Sequence, residues 1–268
     1  MDIHETARKG FQQGSAYDAY RPSYSDETID FVLDLIRKVE ILTEQEHNIK
    51  YDIVELGAGT GKFSRKLFSK IKQERFLATE PLAGFLETLK EQSPDVESLQ
   101  CAAHDIPLPD KSVKAFICAQ SFHWFANVKS LTEIDRVLVP NGVLVLVWNR
   151  KDQDVPWIDE FYKKIESYKG DNPPPQYNDM KWNEVFHQVT SIQYVQDYRL
   201  QGVRFEGPID FVLNNACSIS YMTNLEDEKK TRAREELKNI LLKHHKGSAT
   251  IVVPHFTSLY LYKKNKLI

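Results

Sequence analysis

The sequence has little of what marks a secreted, membrane-embedded or nucleic-acid-binding protein. It contains 3 cysteines in 268 residues, at spacings that match no metal site, so we expect reduced thiols and no bound metal. No apolar run reaches the roughly 20 residues of a membrane span, and the polar first residues lack a signal-peptide pattern. The net charge of −3 and the pI near 6.3 give no general attraction to nucleic acid or anionic lipid. We therefore expect a cytoplasmic protein that binds neither.

One stretch, residues 51–68, organises the rest of the chain. It begins with the apolar residues Ile53, Val54 and Leu56, which predict a strand buried on both faces, as in a parallel sheet. Glycines follow, and apolar residues then recur at helical spacing from Phe63 onward. A strand, a glycine-rich turn and the start of a helix form a site at which backbone N–H groups face a ligand.

The spacing of the glycines separates three nucleotide-binding patterns. A P-loop would need glycine at Leu56 and a hydroxyl at Phe63, so that pattern fails. A dinucleotide fingerprint would need glycine where Lys62 stands. The sequence instead reads Glu-x-Gly-x-Gly-x-Gly over residues 55–61. A carboxylate at the start of this turn would repel a pyrophosphate but could receive an ammonium group.

Further buried strands follow this stretch and alternate with helices. The second strand, residues 75–80, ends in Glu80, which lies about 20 residues beyond Gly61, the separation at which an acid takes ribose hydroxyls in this architecture. This alternation predicts an α/β fold with a doubly wound parallel sheet. The remaining strands of this half are predicted at 96–102, 113–120 and 143–148.

The flanking regions are predicted to contain helices around fewer strands. An amphipathic helix with Ser25 as its cap is expected over 25–41. Alternating polarity predicts a strand over 192–200. Helices are expected over 211–221 and 225–245, and strands that close the sheet at 249–253 and 258–262.

These motifs resemble those of class I S-adenosylmethionine-dependent methyltransferases, of the small-molecule type represented by trans-aconitate methyltransferases. The resemblance rests on the glycine-rich stretch, on the Ser121-Phe-His-Trp-Phe block after the fourth strand, and on the turn over 140–142. It implies a Rossmann-like sheet of seven strands, the last antiparallel, with helical cap insertions. It further implies one domain over 1–268, divided into an N-terminal lid and helix (1–50), a cofactor-binding core (51–148), cap insertions around one strand (149–248) and closing strands (249–268).

The activity implied by this resemblance is methyl transfer from S-adenosylmethionine to a small-molecule nucleophile, with carboxylates among the candidates. Because the cofactor carries the activated group, the protein mainly binds and aligns, and no catalytic residue is predicted. Two alternatives stay open: a non-catalytic relative that binds the cofactor or a partner, and an NAD-dependent oxidoreductase, which Lys62 opposes. The sequence leaves the accepting atom and the oligomeric state open.

The resemblance also implies site residues. Tyr20 and Arg21 belong to an expected lid over residues 11–24, which also contains Tyr17 and Tyr24. The predicted cofactor-binding residues are Tyr20, Arg21, Glu55, Gly57, Ala58, Gly59, Gly61, Lys62, Phe63, Glu80, Pro81, Leu82, His104, Asp105, Ile106, Gln120 and Ser121. The predicted substrate-binding residues are His123, Trp124, Arg150 and Tyr221.

Two pairs of these residues, one in the loop after the third strand and one after the fourth strand, also have interpretations other than ligand binding through their side chains. His104 and Asp105 are candidates near the adenine because Ala102 stands where the family often has an aspartate. His123 and Trp124 are expected either in the site or in the core, with neither favoured.

Overall fold

A seven-stranded sheet forms the centre of the molecule. The structure is a computed structural model that describes residues 20–40, 48–170 and 173–265. The strands are β1 (Tyr51–Leu56), β2 (Phe76–Thr79), β3 (Ser98–Leu99), β4 (Val113–Ala119), β5 (Leu138–Lys151), β6 (Ile192–Gln201), β7 (Phe205–Gly207), β8 (Ile251–Val253) and β9 (His255–Lys264). The order across the sheet is β3-β2-β1-β4-β5-β9-β6. Neighbours are parallel from β3 to β5, whereas β9 is antiparallel to β5 and β6. The predicted sheet with an antiparallel last strand is confirmed.

Helices cover both faces of this sheet. They are α1 (Asp26–Arg37), α2 (Lys62–Phe68), α3 (Ala83–Gln92), α4 (Val128–Val137), α5 (Pro156–Glu166), α6 (Ile209–Cys217), α7 (Ser220–Thr223) and α8 (Asp227–His244). Single 3₁₀ segments lie at Phe122–Trp124, Tyr177–Asp179 and Lys181–His187. As predicted, Ser25 caps α1, since its Oγ accepts a hydrogen bond from the Thr28 N–H at 3.1 Å. In the described part of the chain, no helix has the length and apolarity that a membrane crossing requires.

The strand side chains alternate between the two helical layers. On β4, Ala115 and Ile117 pack in the same cluster as α1 and α2, whereas Phe116 and Cys118 pack in the cluster that contains α4. All four side chains are fully buried. Burial on both faces explains why the central strands read as continuous apolar runs in the sequence.

The cap has its own apolar core, formed by buried side chains of α5, α6, α7 and α8. Ile251 and Val253 of β8 belong to this cap core, and β8 pairs with β7 in a separate two-stranded sheet. The prediction that residues 249–253 close the main sheet is therefore wrong. The alternating burial of β8 identifies a strand but not its partner, and Pro254 separates β8 from the strand that does join the main sheet.

The third predicted strand is also shorter than expected. β3 consists of two residues, which pair with Ala78 and Thr79 at the end of β2. The chain leaves β2 at Glu80 and reaches Pro81, which has no N–H to donate, so β3 finds no further partner there. The loop that follows β3 is then free to form a wall of the cavity described next.

Candidate functional site

A cavity of about 410 Å³ lies at the carboxyl ends of β1, β2, β4 and β5 and extends under the cap. Open α/β sheets bind ligands at this edge. Every predicted site residue lines the cavity except Tyr20, Gly61, Asp105 and Ile106. Residues from the sheet, from the N-terminal segment and from the cap therefore meet in one chamber.

Tyr20 and Gly61 make protein contacts outside the cavity. The Tyr20 ring lies 5.8 Å from that of Phe211, and its carbonyl accepts a hydrogen bond from Asn215 Nδ2 at 2.6 Å. A Cβ atom at Gly61 would stand 2.9 Å from Leu89 Cγ, so packing against α3 requires a glycine here.

Asp105 and Ile106 lie on the outer side of the loop after β3. Asp105 is exposed. Ile106 is buried, and its N–H donates to Glu133 Oε2 at 3.1 Å. Of this loop, the cavity is lined by Cys101, Ala102, Ala103 and His104 instead.

The Glu55 carboxylate is buried at the end of β1. Its Oε2 accepts a hydrogen bond from Ser64 Oγ at 2.6 Å, while its Oε1 is buried without a hydrogen-bond partner among the described residues. Burial raises the pKa of Glu55 to about 8, because a charged group is disfavoured away from water. An unpartnered buried carboxylate oxygen suits a cationic donor such as an ammonium group.

A second buried carboxylate, that of Glu80, follows β2. Its two oxygens accept hydrogen bonds from the Gly59 N–H at 2.8 Å and the Leu82 N–H at 3.0 Å. Burial raises the pKa of Glu80 to about 7, and these N–H groups partly oppose that rise. Because a carboxylate has about four lone-pair sites, acceptor capacity remains for hydroxyl groups in the cavity.

Two glycines of the glycine-rich turn, Gly57 and Gly59, are required for different structural reasons. Gly57 and Gly59 both have positive φ, 69° and 60°. A Cβ at Gly57 would stand 2.7 Å from Ser121 Cβ, whereas one at Gly59 would meet only Phe85 at 3.9 Å. Gly57 thus allows the ends of β1 and β4 to pack together. Gly59 has no side chain to project into the cavity, so a ligand can approach its backbone. Ser121 reinforces the first contact, since its Oγ donates to the Leu56 carbonyl at 2.6 Å.

Three cationic side chains line the other end of the cavity: Arg21, Arg150 and Lys151. The Arg150 guanidinium lies 4.1 Å from the centre of the Tyr177 ring, and Lys151 Nζ lies 4.1 Å from the centre of the Tyr162 ring.

Burial lowers the pKa of Lys151 well below its usual value, and the neighbouring charges of Arg21 and Arg150 add to this effect. Burial also lowers the pKa of Arg150. Lys151 forms no salt bridge within 4.0 Å among the described residues. A carboxylate is the ligand group that would favour the charged forms of both side chains.

Sequence reasoning identified Arg150 but missed Lys151, Tyr162 and Tyr177. The position of Lys151 at the carboxyl end of β5 was an available signal, because ligands of such sheets bind at strand ends. Nothing in the sequence indicates that Tyr162 and Tyr177 face the same chamber, since they come from α5 and from a 3₁₀ turn.

An aromatic wall joins the two ends. Trp148 Nε1 donates a hydrogen bond to His123 Nδ1 at 3.2 Å. The Trp148 ring is packed 4.7 Å from that of Trp182 and 4.8 Å from that of Tyr177. Burial lowers the pKa of His123 to about 4, which keeps its ring neutral at ordinary pH.

The described part of the predicted lid connects the core to the cap. Arg21 Nη2 donates to the Ser218 carbonyl at 2.8 Å, and Asn149 Nδ2 donates to the Ser23 carbonyl at 2.8 Å. Tyr24 lines the cavity and contacts the Phe63 ring edge-on at 4.9 Å. Tyr17 lies outside the described residues, and closure of the segment over a ligand stays a prediction.

Within the described ranges, no group of three or more His, Cys, Asp or Glu side chains is arranged to hold a metal ion. The three cysteines are free thiols, with Cys101 and Cys118 buried.

Comparisons with known proteins agree with this geometry. A family model described as a methyltransferase domain matches residues 54–146. An uncharacterized methyltransferase-like protein of Schizosaccharomyces pombe is 35% identical over 226 residues, which cover 84% of this chain and 82% of that protein. An uncharacterized methyltransferase of Mycobacterium bovis is 30% identical over 239 residues, 86% of each chain.

Among solved structures, one from Anaeromyxobacter dehalogenans, assigned as a type II methyltransferase, has the same fold. Its TM-score is 0.64 at 19% identity, over 92% of this chain and 97% of that one. These relatives are methyltransferases, so the alternative hypothesis of an NAD-dependent oxidoreductase is rejected. With its strand order, its glycine-rich turn and its two buried carboxylates, the chain belongs to the class I methyltransferases, enzymes whose methyl donor is S-adenosylmethionine.

Proposed function

We propose that the protein methylates a small acidic molecule, in the manner of the trans-aconitate-like methyltransferases that its motifs resemble. One observation carries this proposal: the cavity has opposite charge at its two ends. Glu55 and Glu80 line one end, whereas at the other end Arg21, Arg150 and Lys151 outnumber a single carboxylate, that of Glu166. A cationic cofactor and an anionic acceptor would each be complementary to one end.

The acidic end suits the cofactor. S-adenosylmethionine carries an ammonium group, which is complementary to the unpartnered Oε1 of Glu55. Its ribose hydroxyls are complementary to the Glu80 carboxylate, which two backbone N–H groups hold in place. Leu82 and Phe85 offer an apolar surface for adenine at the same end. An ammonium group beside Glu55 would favour its ionised form and lower its raised pKa.

S-adenosylmethionine supplies a methyl group on a positively charged sulfur, which an acceptor atom can attack directly. The residues of this chain therefore have to bind, align and exclude water rather than act as a nucleophile. The aromatic rings and charged side chains in the cavity walls support this division of labour. Among the described residues that line the substrate end, Glu166 is a single carboxylate without an acidic partner, and Ser121 already donates its hydroxyl to the Leu56 carbonyl.

The cationic end suits a small carboxylate. A carboxylate between Arg150 and Lys151 would form charge-assisted hydrogen bonds, which are stronger than neutral ones. The tyrosine rings under both cations hold them in place without neutralising them. The cavity volume lies within the range of small-molecule sites, about 300–1,000 Å³, and two ligands would share it. The acceptor is accordingly a compact molecule.

The test is an assay of methyl transfer with labelled S-adenosylmethionine against a panel of small mono-, di- and tricarboxylic acids and their matched amides. We expect methyl label in base-labile esters of the acids, and none from the amides. Equal labelling of the amides, or label only in base-stable products, would contradict the acidic acceptor.

Lys151→Met sharpens this assay. This variant should raise the KM for the acceptor about 10-fold to 100-fold, the effect of losing a hydrogen bond to a charged group. Its affinity for S-adenosylhomocysteine should not change. Lys163→Met is the matched control, because Lys163 is 72% exposed on the neighbouring α5 and pairs with Asp159. An equal effect of both variants would remove Lys151 from the acceptor site.

A further inference from the structure

The hydrogen bond between Trp148 and His123 fixes where the histidine proton resides. An indole N–H is only a donor, so His123 Nδ1, at 3.2 Å, has to be the unprotonated acceptor. A neutral imidazole carries its single proton on the other nitrogen. Because burial keeps this ring neutral, His123 carries its proton on Nε2.

The surrounding packing holds both partners. Trp148 is 1% exposed at the end of β5 and packs against the rings of Trp182 and Tyr177. His123 lies in the 3₁₀ turn after β4, next to the fully buried Phe122. Rotation of either ring away from this arrangement would disrupt the core cluster that contains Trp148 and Phe122.

The other nitrogen of His123 is available to a ligand. His123 lines the cavity, and its Nε2 has no hydrogen-bond partner among the described residues. Asp179 is the acid whose charge acts on this ring. A protonated Nε2 has no lone pair, so in this form it cannot remove a proton from the acceptor molecule. It can only donate a hydrogen bond.

We propose that His123, locked by Trp148, is a specificity-determining hydrogen-bond donor that selects an acceptor molecule whose facing oxygen is already ionised. This inference rests on the proposed function and deepens it. A carboxylic acid is ionised at neutral pH, whereas an alcohol or an ammonium group would need a base to remove its proton first. The locked donor thus favours carboxylates over other oxygen and nitrogen nucleophiles.

The state of the ring is tested directly by ¹⁵N NMR of histidine-labelled protein. We expect an unprotonated Nδ1 and a protonated Nε2 for His123 as the pH passes through about 5 to 8, the range in which an ordinary histidine titrates. In Trp148→Phe, which removes the indole donor, we expect a mixture of the two neutral forms. A proton on Nδ1 in the unaltered protein would overturn the proposal.

The role in selection is tested with two substitutions of His123. His123→Gln retains an N–H donor, whereas His123→Leu has none, so kcat/KM for the carboxylate should be about 10-fold higher for the glutamine variant. Affinity for S-adenosylhomocysteine should be the same in both. Equal impairment of the two variants would refute a donor role. His187→Gln, at an exposed histidine outside the cavity, is the control that should not change kcat/KM.

The outcomes separate this proposal from the proposed function. If the NMR shows the locked ring but the acids of the panel are not methylated, the acidic acceptor is wrong and selection of an ionised oxygen fails with it. If acids are methylated but His123→Gln and His123→Leu behave alike, the acidic acceptor stands and the role of His123 is wrong.

Discussion

The two ends of the cavity differ in charge, and burial acts on them in opposite directions. At the acidic end, burial raises the pKa values of Glu55 and Glu80. At the cationic end, it lowers those of Arg150 and Lys151. In both places burial disfavours the charged form relative to the same group in water, and a complementary ligand would oppose that effect. Each end therefore resembles half of an ion pair that its own ligand would complete.

The two ends also differ in how the chain builds them. The acidic end comes from the turns after β1 and β2, two adjacent strands of the core. The cationic end combines Arg21 from the N-terminal segment with Arg150 and Lys151 from the end of β5. The rings that contact these two cations, Tyr162 and Tyr177, come from α5 and from a 3₁₀ turn. The comparison suggests that cofactor affinity and acceptor selection are separable, so variants at one end should leave the other ligand unaffected.

The largest effect is expected where the acidic end depends on packing. Gly57→Ala would place a Cβ 2.7 Å from Ser121 Cβ at a φ of 69°, which should lower the free energy of unfolding by about 2–4 kcal/mol. Gly59→Ala, whose Cβ would meet only Phe85 Cδ2 at 3.9 Å, should lower the free energy of unfolding by about 1–2 kcal/mol. It should weaken binding of S-adenosylhomocysteine more than Gly57→Ala does. Thermal unfolding and calorimetry measure the two quantities.

The control for both variants is Gly84→Ala. Gly84 lies in α3 with nothing within 4 Å of its added Cβ, so this change should stabilise the helix by up to about 1 kcal/mol. Similar stabilities of the variants at 57 and 59 would contradict the distinction drawn between the two glycines.

The second effect concerns Glu80 and should be confined to the cofactor. Glu80→Gln turns one acceptor oxygen into a donor that faces a backbone N–H, so affinity for S-adenosylhomocysteine should fall about 10-fold to 100-fold. The KM for the acceptor should change little. Titration calorimetry provides the first quantity, and Glu87→Gln on the exposed side of α3 is the control. Unchanged affinity would remove Glu80 from the cofactor site.

The third prediction uses pH to compare the ends. A carboxyl whose folded pKa is raised stabilises the protein at low pH, and this contribution is lost as the pH rises through about 7. Between about pH 6.5 and 8, the stability of the unaltered protein should therefore fall by about 1 kcal/mol relative to Glu80→Gln. His123 and His255, whose pKa values burial lowers to about 4, are present in both proteins, so their contributions cancel in this difference.

Lys151 should show the opposite slope. Its folded pKa is depressed, so its contribution is lost as the pH falls and grows as the pH rises toward the ordinary lysine value. The stability of the unaltered protein relative to Lys151→Met should accordingly rise as the pH approaches the ordinary lysine value of about 10. Denaturant unfolding at several pH values measures both differences, and slopes of equal sign would break the comparison.

The smallest effect is expected for Arg150→Lys. The charge is retained but the planar group over the Tyr177 ring is lost, which should raise the acceptor KM about 5-fold, the scale of one cation–π contact. Cofactor affinity should not change. Arg199→Lys is a matched control. Arg199 lies on β6 with its guanidinium 3.8 Å from the centre of the Phe256 ring, and it does not line the cavity. A change in cofactor affinity would show that the two ends are coupled.

Much of the fold and of the acidic end of the cavity could be predicted because their signals are local. Continuous apolar runs revealed the central strands, since these are buried on both faces. Most of the predicted site residues line the cavity for a similar reason: a turn that follows a strand in this fold has to open at the carboxyl edge. The exceptions include Gly61 and Ile106, which lie in these turns but make contacts within the protein. Gly61 packs against Leu89, and the N–H of the buried Ile106 donates to Glu133.

The sequence by itself determined the class of fold and the positions of the central strands and of the glycine-rich turn along the chain, because each depends on residues close together in the chain. Only the tertiary structure decided that β8 pairs inside the cap, that Lys151 and Tyr162 meet in the chamber, and that Trp148 donates a hydrogen bond to His123. These contacts join distant segments, and periodicity specifies which face a residue buries but not which partner it meets there.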